Sequence, residues 1–434
     1  MRGSPADHPA SPPGAESAPG AETLLLYAPV PLHRQPDGGY LLEDQACNGL
    51  RLWAANFAKV IVMSPLAPGP APASWVPIET IGASLARIEI VALPMAYRPD
   101  RFLCALRRTR RVIRDLIARS DVMSFSIGGL FGDWGSVAGL EAARMRRPFA
   151  VWTDRVESEV VRRTMHSGPL RRRIKARLTH RLIAWYERRL VRRATVGLFH
   201  GRETFETYAP YCANPQVVHD IHVTPADHIA PPALEAKAAA AARGAEPLRL
   251  CYAGRAEAMK GPFDWIAVLE RLCRAGVEFR AEWLGDGPDL EAMRAKVSAL
   301  GLDGRVALPG FLRDREAVLA RLREAELMLF CHKTPESPRC LIEALVCGTP
   351  ILGYESPFPR DLIAVHGGGL LTPLDDVAAL AEAARGLALD RDRLAGLIRR
   401  AARDGAPFDD VSVFRHRSEV LRRYLLDPDA PKAG

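Results

Sequence analysis

Short apolar runs alternate with segments of helical periodicity through both halves of the 434-residue chain. This alternation is typical of βαβ units, in which helices connect the strands of a parallel sheet. In the first half it predicts strands at 24–28, 60–64, 88–92, 122–126, 149–153 and 196–200, and helices at 42–55, 101–118, 134–144 and 170–193. In the second half it predicts strands at 248–253, 279–284, 305–308, 327–331 and 350–354, and helices at 261–274, 289–300, 314–325, 341–347 and 377–385. The sequence therefore predicts an α/β fold with two doubly wound sheets.

The length of the chain also predicts two domains, because a single core rarely grows to this size. We expect a disordered tail rich in Pro, Ala, Gly and Ser (1–22), an N-terminal Rossmann-like domain (23–230) and a C-terminal one (248–410). An Ala-rich run bounded by prolines (231–247) is interpreted as the linker between them, and 411–434 as a helix that packs back, with a tail. Two such domains facing each other place the carboxyl ends of both sheets on one cleft, where a ligand is expected.

Two cations follow the first predicted strand of the second half. Strand 248–253 leads directly into Gly254 and Arg255, and Lys260 with Gly261 opens the next helix. Glycines allow the backbone to approach a ligand, and a helix N-terminus beside fixed cations suits phosphate. Taken alone the pattern also fits an ordinary structural turn.

Further motifs follow in order along the same half. They are Gly285-Asp-Gly-Pro, Gly310-Phe311, a pair of glutamates (Glu336 and Glu343) and Cys347-Gly-Thr-Pro. Together with the Gly-Arg and Lys-Gly pairs, this order resembles the donor domain of glycosyltransferase family 4. The resemblance is strong over 248–355 and general elsewhere. It implies a GT-B fold, two facing Rossmann-like domains, and a retaining transfer of sugar from a nucleoside diphosphate.

The resemblance also implies roles for individual residues. Arg255 and Lys260 match the pair that holds the donor diphosphate. Glu343 matches the glutamate that binds the ribose hydroxyls, and Glu336 the one that binds the transferred sugar. Gly285 and Phe311 match the walls around the base. The implied donor-binding set is completed by Gly254, Gly261, Arg339, Cys340 and Leu341.

The spacing of the two glutamates departs from the family. Six residues separate Glu336 from Glu343, where the family usually has seven, and Ser337-Pro338-Arg339 replaces its Gly-Phe-Gly. We expect Pro338 to open a helix at its first turn, where its missing N–H costs nothing. The alternative for Glu336 is a purely structural role, because an acidic residue at a helix N-terminus is favoured by the helix dipole alone.

The acceptor side of the chain is harder to interpret. Asp154 follows a predicted strand of the first half, and it is our candidate for orienting the acceptor hydroxyl. A structural helix cap is the alternative. Gly38 and Gly39 resemble the family's glycine-rich loop near the phosphates, although a bare Gly-Gly pair is a weak signal.

We expect neither a metal nor a cofactor besides the sugar nucleotide as co-substrate. Asp390-Arg-Asp392 and Asp427-Pro-Asp429 have the Asp-x-Asp spelling but flank terminal helices, and we interpret them as caps or turns. His219, His222 and His228 lack partners at convincing ligand spacing. The eight cysteines contain no Cys-x-x-Cys pair and are interpreted as small hydrophobic residues.

One segment makes the protein basic. The stretch 162–193, from Arg162 to Arg193, holds 12 Lys and Arg and a single acid, Glu187, so it carries +11 in a chain of net charge +8. Its apolar residues recur at helical spacing: Ile174, Leu178, Leu182, Trp185, Tyr186 and Leu190. One interpretation is a surface helix on anionic lipid. The alternatives are a stripe that packs on the sheet with solvated arginines, and a nucleic-acid surface, which is disfavoured because no binding motif accompanies the charge.

The sequence as a whole predicts a glycosyltransferase of surface polysaccharide assembly that acts on a lipid-linked or growing saccharide. A sugar-nucleotide epimerase of the same fold and a non-catalytic sugar-nucleotide-binding protein are the alternatives. No apolar run reaches the length of a membrane span, and the first 22 residues do not resemble a signal peptide. We therefore expect a cytoplasmic protein, peripheral on the plasma membrane if the basic segment binds lipid.

Overall fold

The computed structural model describes residues 20–35, 37–72, 75–163, 170–219, 221, 223–334 and 337–427. The chain divides into two compact units. Of the described residues, the first unit comprises those up to 200, 204–219 and those from 411 onwards, and the second comprises 201–203 and those from 221 to 410.

The first unit is built on a parallel sheet of seven strands, in the order β10-β9-β8-β7-β1-β4-β6. Its strands are β1 Gly20–Tyr27, β4 Phe57–Leu66, β6 Ile88–Pro94, β7 Val122–Ser126, β8 Ala150–Thr153, β9 Val196–His200 and β10 Pro215–Val218. A small antiparallel sheet consists of β2 His33–Arg34, β3 Tyr40–Glu43 and β5 Trp75–Pro77. The helices are α1 Asp44–Asn56, α2 Pro99–Ala118, α3 Trp134–Arg144, α4 Glu157–Arg163, α5 Leu170–Val191 and α6 Gly201–Tyr208.

Each face of the seven-stranded sheet carries its own core. Ile113 of α2, Trp134 of α3 and Leu190 of α5 pack on one face. The other face is covered by α1 and by α15 (Asp410–Leu425), the last described helix. The Arg417 guanidinium of α15 lies over the rings of Trp53, Trp152 and Phe414 at 5.3–5.4 Å, so α15 is fixed to this face by packing and by cation–π contacts.

The second unit has a parallel sheet of six strands, in the order β13-β12-β11-β14-β15-β16. Its strands are β11 Leu248–Ala253, β12 Phe279–Leu284, β13 Val306–Gly310, β14 Leu327–Phe330, β15 Ile351–Tyr354 and β16 Gly369–Thr372. Its helices are α7 Pro231–Arg243, α8 Pro262–Arg274, α9 Leu290–Ala299, α10 Arg315–Glu324, α11 Arg339–Val346, α12 Pro357–Leu362, α13 Val377–Leu389 and α14 Arg391–Gly405. The prediction of two doubly wound α/β sheets is confirmed.

Two boundary predictions differ from the structure. Residues 20–22 of the predicted tail begin β1, where Gly20 pairs with Phe57, and residues 1–19 lie outside the described part. The predicted linker 231–247 contains α7, which packs on α14 of the second unit. Pro at the first turn and the left-handed Gly244 at the end are start and stop signals of a helix, and the sequence interpretation overlooked them.

Lys237 of α7 is the polar anchor of that helix. Its ammonium is buried and donates to the Cys347 carbonyl at 3.2 Å and to the Thr349 hydroxyl at 2.6 Å. Burial lowers the pKa of Lys237 from 10.5 to about 7.

Among the described residues, no helix is both long and apolar enough to cross a membrane.

The lowered pKa of Lys237 predicts a pH-dependent stability. Between pH 7 and 9 the unfolded chain keeps the Lys237 proton while the folded chain loses it, so the folded state gains stability as the pH rises. We expect the unfolding free energy of the wild type to rise by about 2 kcal/mol relative to Lys237→Met over this range. Urea denaturation at pH 7 and pH 9 measures the difference. A parallel pH dependence in both proteins would contradict it.

Candidate donor site at the carboxyl edge of the second sheet

The central strand of the second sheet ends at the candidate site. β11 leads into Gly254 and Arg255, and a short 3-10 turn (Ala258–Lys260) precedes α8. The Arg255 side chain is 71% exposed, and its guanidinium lies 3.7 Å from the Glu257 carboxylate. The structure therefore places a weakly paired, solvent-facing cation where the sequence predicted a phosphate ligand.

Backbone segments at this edge approach each other too closely for side chains. A Cβ on Gly285 would lie 2.0 Å from the Gly254 carbonyl oxygen. A Cβ on Gly261 would lie 2.1 Å from the Cys331 carbonyl oxygen, and Gly261 has the left-handed φ of +65° at the N-cap of α8. Both glycines are thus required by packing, which keeps the loops after β11, β12 and β14 together.

A group of side chains that the sequence analysis missed braces the same loops. The Lys333 amide donates to the Met259 carbonyl at 2.8 Å, and its ammonium bridges Asp264 and Asp375. The Tyr354 hydroxyl donates to Asp264 at 2.6 Å. Burial opposes the charge on Lys333, but the two carboxylates outweigh it and raise its pKa. No sequence signal connects these residues, because they come from α8, β15 and the loops after β14 and β16.

His332 lies next to the predicted cations. Its Nε2 is 2.8 Å from the Tyr252 hydroxyl of β11. Burial, with a smaller contribution from Lys260, lowers the pKa of His332 to about 3. The ring is therefore neutral at physiological pH, and it adds no charge beside Lys260.

The N-terminus of α11 carries most of the remaining predicted residues. Pro338 is the N-cap and Arg339 the first helical residue, so the prediction of Pro338 inside the first turn is off by one position. Arg339 is exposed, Cys340 is half-buried, and the Leu341 side chain is buried in the core. Leu341 can therefore meet a donor only through its backbone. Glu336 lies outside the described residues.

Glu343 lies in the second turn of α11, with a side chain that is 20% exposed. Its Oε1 accepts a hydrogen bond from Arg315 of α10 at 3.2 Å. Nearby, the Gly310 carbonyl accepts from the Gly285 amide at 3.0 Å, and the adjoining Phe311 ring is 70% exposed. An exposed ring beside two glycines provides a flat apolar surface of the kind that a nucleoside base can stack on.

The predicted residues of the first unit are placed differently. Asp154 is exposed directly after β8, at the carboxyl end of that strand. Gly38 and Gly39 form the turn of the β2–β3 hairpin, where the Gly38 amide donates to Gln35 and the Gly39 amide to Asp37. Both amides donate inside the turn, and the assignment of the pair to the donor phosphates stays a prediction.

A buried acid of the first unit was not predicted. Asp133 caps α3, and its carboxylate accepts hydrogen bonds from the amides of Gly128 at 2.8 Å and Ser136 at 3.1 Å. Burial raises the pKa of Asp133 to about 6, although these hydrogen bonds oppose the shift. The acid holds the loop that follows the central strand β7.

The remaining acids and histidines of the sequence analysis are those considered as metal ligands. Asp390 caps α14 by accepting from the Arg393 amide at 2.9 Å. His222 and Asp429 lie outside the described residues. Within the described part of the chain, no group of three or more His, Cys, Asp or Glu side chains could hold a metal ion.

Comparison with solved structures defines the class of fold. The Anabaena protein HepE in complex with UDP superimposes with a TM-score of 0.63 at 15% identity, over 92% of this chain and 99% of that one. The two Rossmann-like sheets with flanking helices are the GT-B fold of glycosyltransferases.

Comparison with sequences matches most of the second unit to glycosyltransferases. Residues 235–404 match the family model of glycosyl transferases group 1. A 2-deoxystreptamine N-acetyl-D-glucosaminyltransferase of Streptomyces fradiae is 32% identical over 50% of this chain and 52% of its own length. A GDP-mannose-dependent alpha-(1-6)-phosphatidylinositol dimannoside mannosyltransferase of Mycobacterium tuberculosis is 29% identical over 27% of this chain and 30% of its own. The matched part of this chain thus spans about half the length of the first relative and less than a third of the second.

The close contact at Gly261 predicts a large cost for one added methyl group. Gly261→Ala should lose roughly 2–5 kcal/mol of unfolding free energy, from left-handed strain together with the clash at the Cys331 carbonyl. Gly276→Ala is the matched control, because Gly276 has a similar φ of +72° with no atom within 4 Å of its added Cβ. It should lose only the strain, roughly 1–2 kcal/mol. Equal losses in urea denaturation would show that the contact with Cys331 does not constrain the loop.

Proposed function

We propose that the protein is a retaining glycosyltransferase of family 4, which moves a sugar from a nucleoside diphosphate to a hydroxyl of a lipid-linked or growing saccharide. The observation that carries this proposal is the exposed Arg255 beside the Lys260–Gly261 turn and the N-terminus of α8. The match of 235–404 to glycosyl transferases group 1 supports it. The names of the two relatives, a 2-deoxystreptamine N-acetyl-D-glucosaminyltransferase and a phosphatidylinositol dimannoside mannosyltransferase, support the transfer of a sugar to such an acceptor.

The proposed chemistry follows from the charge of the leaving group. A departing nucleoside diphosphate develops negative charge on its oxygens, and preorganised cations stabilise that charge without reorganising. Arg255 and Lys260 would supply them, and the backbone amides at the start of α8 and α11 would add donors. In this proposal no metal is required. Glu336 would bind the transferred sugar and Asp154 would orient the acceptor hydroxyl.

The first prediction of this proposal concerns the two cations. Arg255→Ala and Lys260→Ala should each lower turnover about 10²-fold or more, which is the usual effect of losing one stabilising group. Release of the nucleoside diphosphate from a panel of UDP- and GDP-sugars measures turnover. Arg274→Ala is the control, because Arg274 is an exposed arginine at the other end of α8, paired with Glu270.

Near-normal turnover in both variants would overturn the diphosphate assignment. The same assay in excess EDTA tests the metal: loss of activity that Mg²⁺ or Mn²⁺ restores would contradict stabilisation by the protein's own cations. Analysis of the product separates the alternatives, since an epimerase returns a sugar nucleotide and a binding protein returns no product.

We also propose that α5 attaches the protein to an anionic membrane surface. Only part of the predicted apolar stripe is buried. Leu190 is buried, whereas Ile174, Leu182 and Trp185 are 50–55% exposed. These three recur at spacings of eight and three residues, so they lie on one side of the helix. Arg177, Arg181, Arg188 and Arg189 are exposed around them and form no ion pair with a described residue. An exposed apolar row flanked by arginines suits the interface of an anionic bilayer.

Vesicle co-sedimentation tests the membrane proposal. Binding to vesicles with 30% anionic lipid should be strong at low salt and weaken as the Debye length falls toward about 8 Å. Replacing Arg177, Arg181, Arg188 and Arg189 by Gln should weaken it by up to about 10³-fold, at roughly 1 kcal/mol per residue. The control replaces four exposed arginines of the second unit, which changes the net charge equally: Arg243, Arg271, Arg274 and Arg280. Equal effects in both variants, or no binding at any salt, would contradict the assignment to α5.

A further inference from the structure

Arg315 is the first residue of α10, and its guanidinium holds two carboxylates at once. One nitrogen, Nη1, donates to Glu343 at 3.2 Å, and the other, Nη2, donates to Asp227 at 3.1 Å. The two acids come from distant parts of the sequence: Glu343 from α11, and Asp227 from the short 3-10 turn Pro225–Asp227. Arginine suits this task because its fork presents donors in fixed directions.

The acid on the far side of Arg315 is itself immobilised. The Asp227 carboxylate accepts from the Thr224 amide at 2.6 Å in a capping box, and its side chain is only 13% exposed. Arg323 donates to the Asp227 carbonyl at 3.0 Å. Burial would raise the pKa of Asp227, but the Thr224 amide and Arg315 outweigh it and lower the pKa. Asp227 is therefore a fixed anion against which Arg315 is oriented.

The arrangement leaves one oxygen of Glu343 available. Arg315 engages Oε1, and in the described part of the chain Oε2 accepts no hydrogen bond. The side chain is 20% exposed, so a ligand can reach this oxygen. A single guanidinium shared between two carboxylates also leaves one net negative charge, which favours hydroxyl groups that donate to Glu343.

We infer that Arg315 is a positioning residue for the nucleotide: by holding Oε1 of Glu343, it presents Oε2 to the ribose hydroxyls of a bound nucleoside diphosphate. This inference rests on the proposed function, because the resemblance to glycosyltransferase family 4 implies that Glu343 binds the ribose hydroxyls. Arg315 lies outside the sequence motifs, so part of the selectivity for ribose would come from α10.

The test compares ribose and dideoxyribose ligands. The wild type should bind UDP or GDP, whichever it prefers, about tenfold more tightly than the 2′,3′-dideoxy form, as expected for hydrogen bonds to a charged acceptor. In Arg315→Gln this preference should fall below about threefold, because Glu343 is no longer oriented. Isothermal titration measures both ligands on each protein, and their ratio is insensitive to a uniform loss of stability.

Two further variants keep the test decisive. Arg323→Gln removes a hydrogen bond to the same Asp227 without touching Glu343, and it should keep the tenfold preference. Arg315→Lys retains the charge without the fork, should fold even if Arg315→Gln does not, and should show an intermediate ratio. An unchanged ratio in the Arg315 variants, or no ribose preference in the wild type, would overturn this inference alone. Failure of the wild type to bind either nucleotide would overturn the proposed function as well.

Discussion

The candidate site depends on backbone segments that touch with no side chain between them. The Gly261 Cα lies against the Cys331 carbonyl, and Gly285 lies against the Gly254 carbonyl. These contacts bring the loops after β11, β12 and β14 to one edge of the sheet. Because main-chain atoms cannot adjust as a side chain can, glycine at these two positions fixes the backbone of the loops that carry Arg255 and Lys260.

At this edge of the sheet, the carboxylate partners of each cation determine whether it joins structural elements or can bind a ligand. Lys333 bridges Asp264 and Asp375, and Arg315 bridges Asp227 and Glu343, so both serve to join elements. Arg255 differs, because it is 71% exposed and its carboxylate neighbour is 3.7 Å away. A cation that already bridges two carboxylates gains little from a phosphate, whereas the exposed Arg255 side chain can turn to one without breaking such a bridge.

The elements predictable from the sequence are those with a continuous local signal. β11 and β12 are buried apolar runs, and their predicted bounds agree with the structure. The short strands β2, β3 and β5 have no such run and were missed. The motif residues around Gly254 and Gly261 were found because glycines and cations stand close together in the sequence. Lys333, Arg315 and Lys237 were missed because their partners lie 69, 88 and 110 residues away.

The basic helix α5 also shows what local sequence patterns cannot predict. Its six apolar residues recur at helical spacing, and periodicity alone treats them as one stripe. In the structure Leu190 and the neighbouring Ile183 reach the core, while Ile174, Leu182 and Trp185 face outward. The Arg189 guanidinium lies 5.4 Å from the Trp185 ring centroid. Which apolar residues a helix buries depends on the layer beneath it, here α3 and the core on one face of the sheet, and that layer is assembled from elements far apart in the sequence. Helical spacing therefore establishes that α5 is amphipathic, and only the packing separates its core side from the apolar row that solvent can reach.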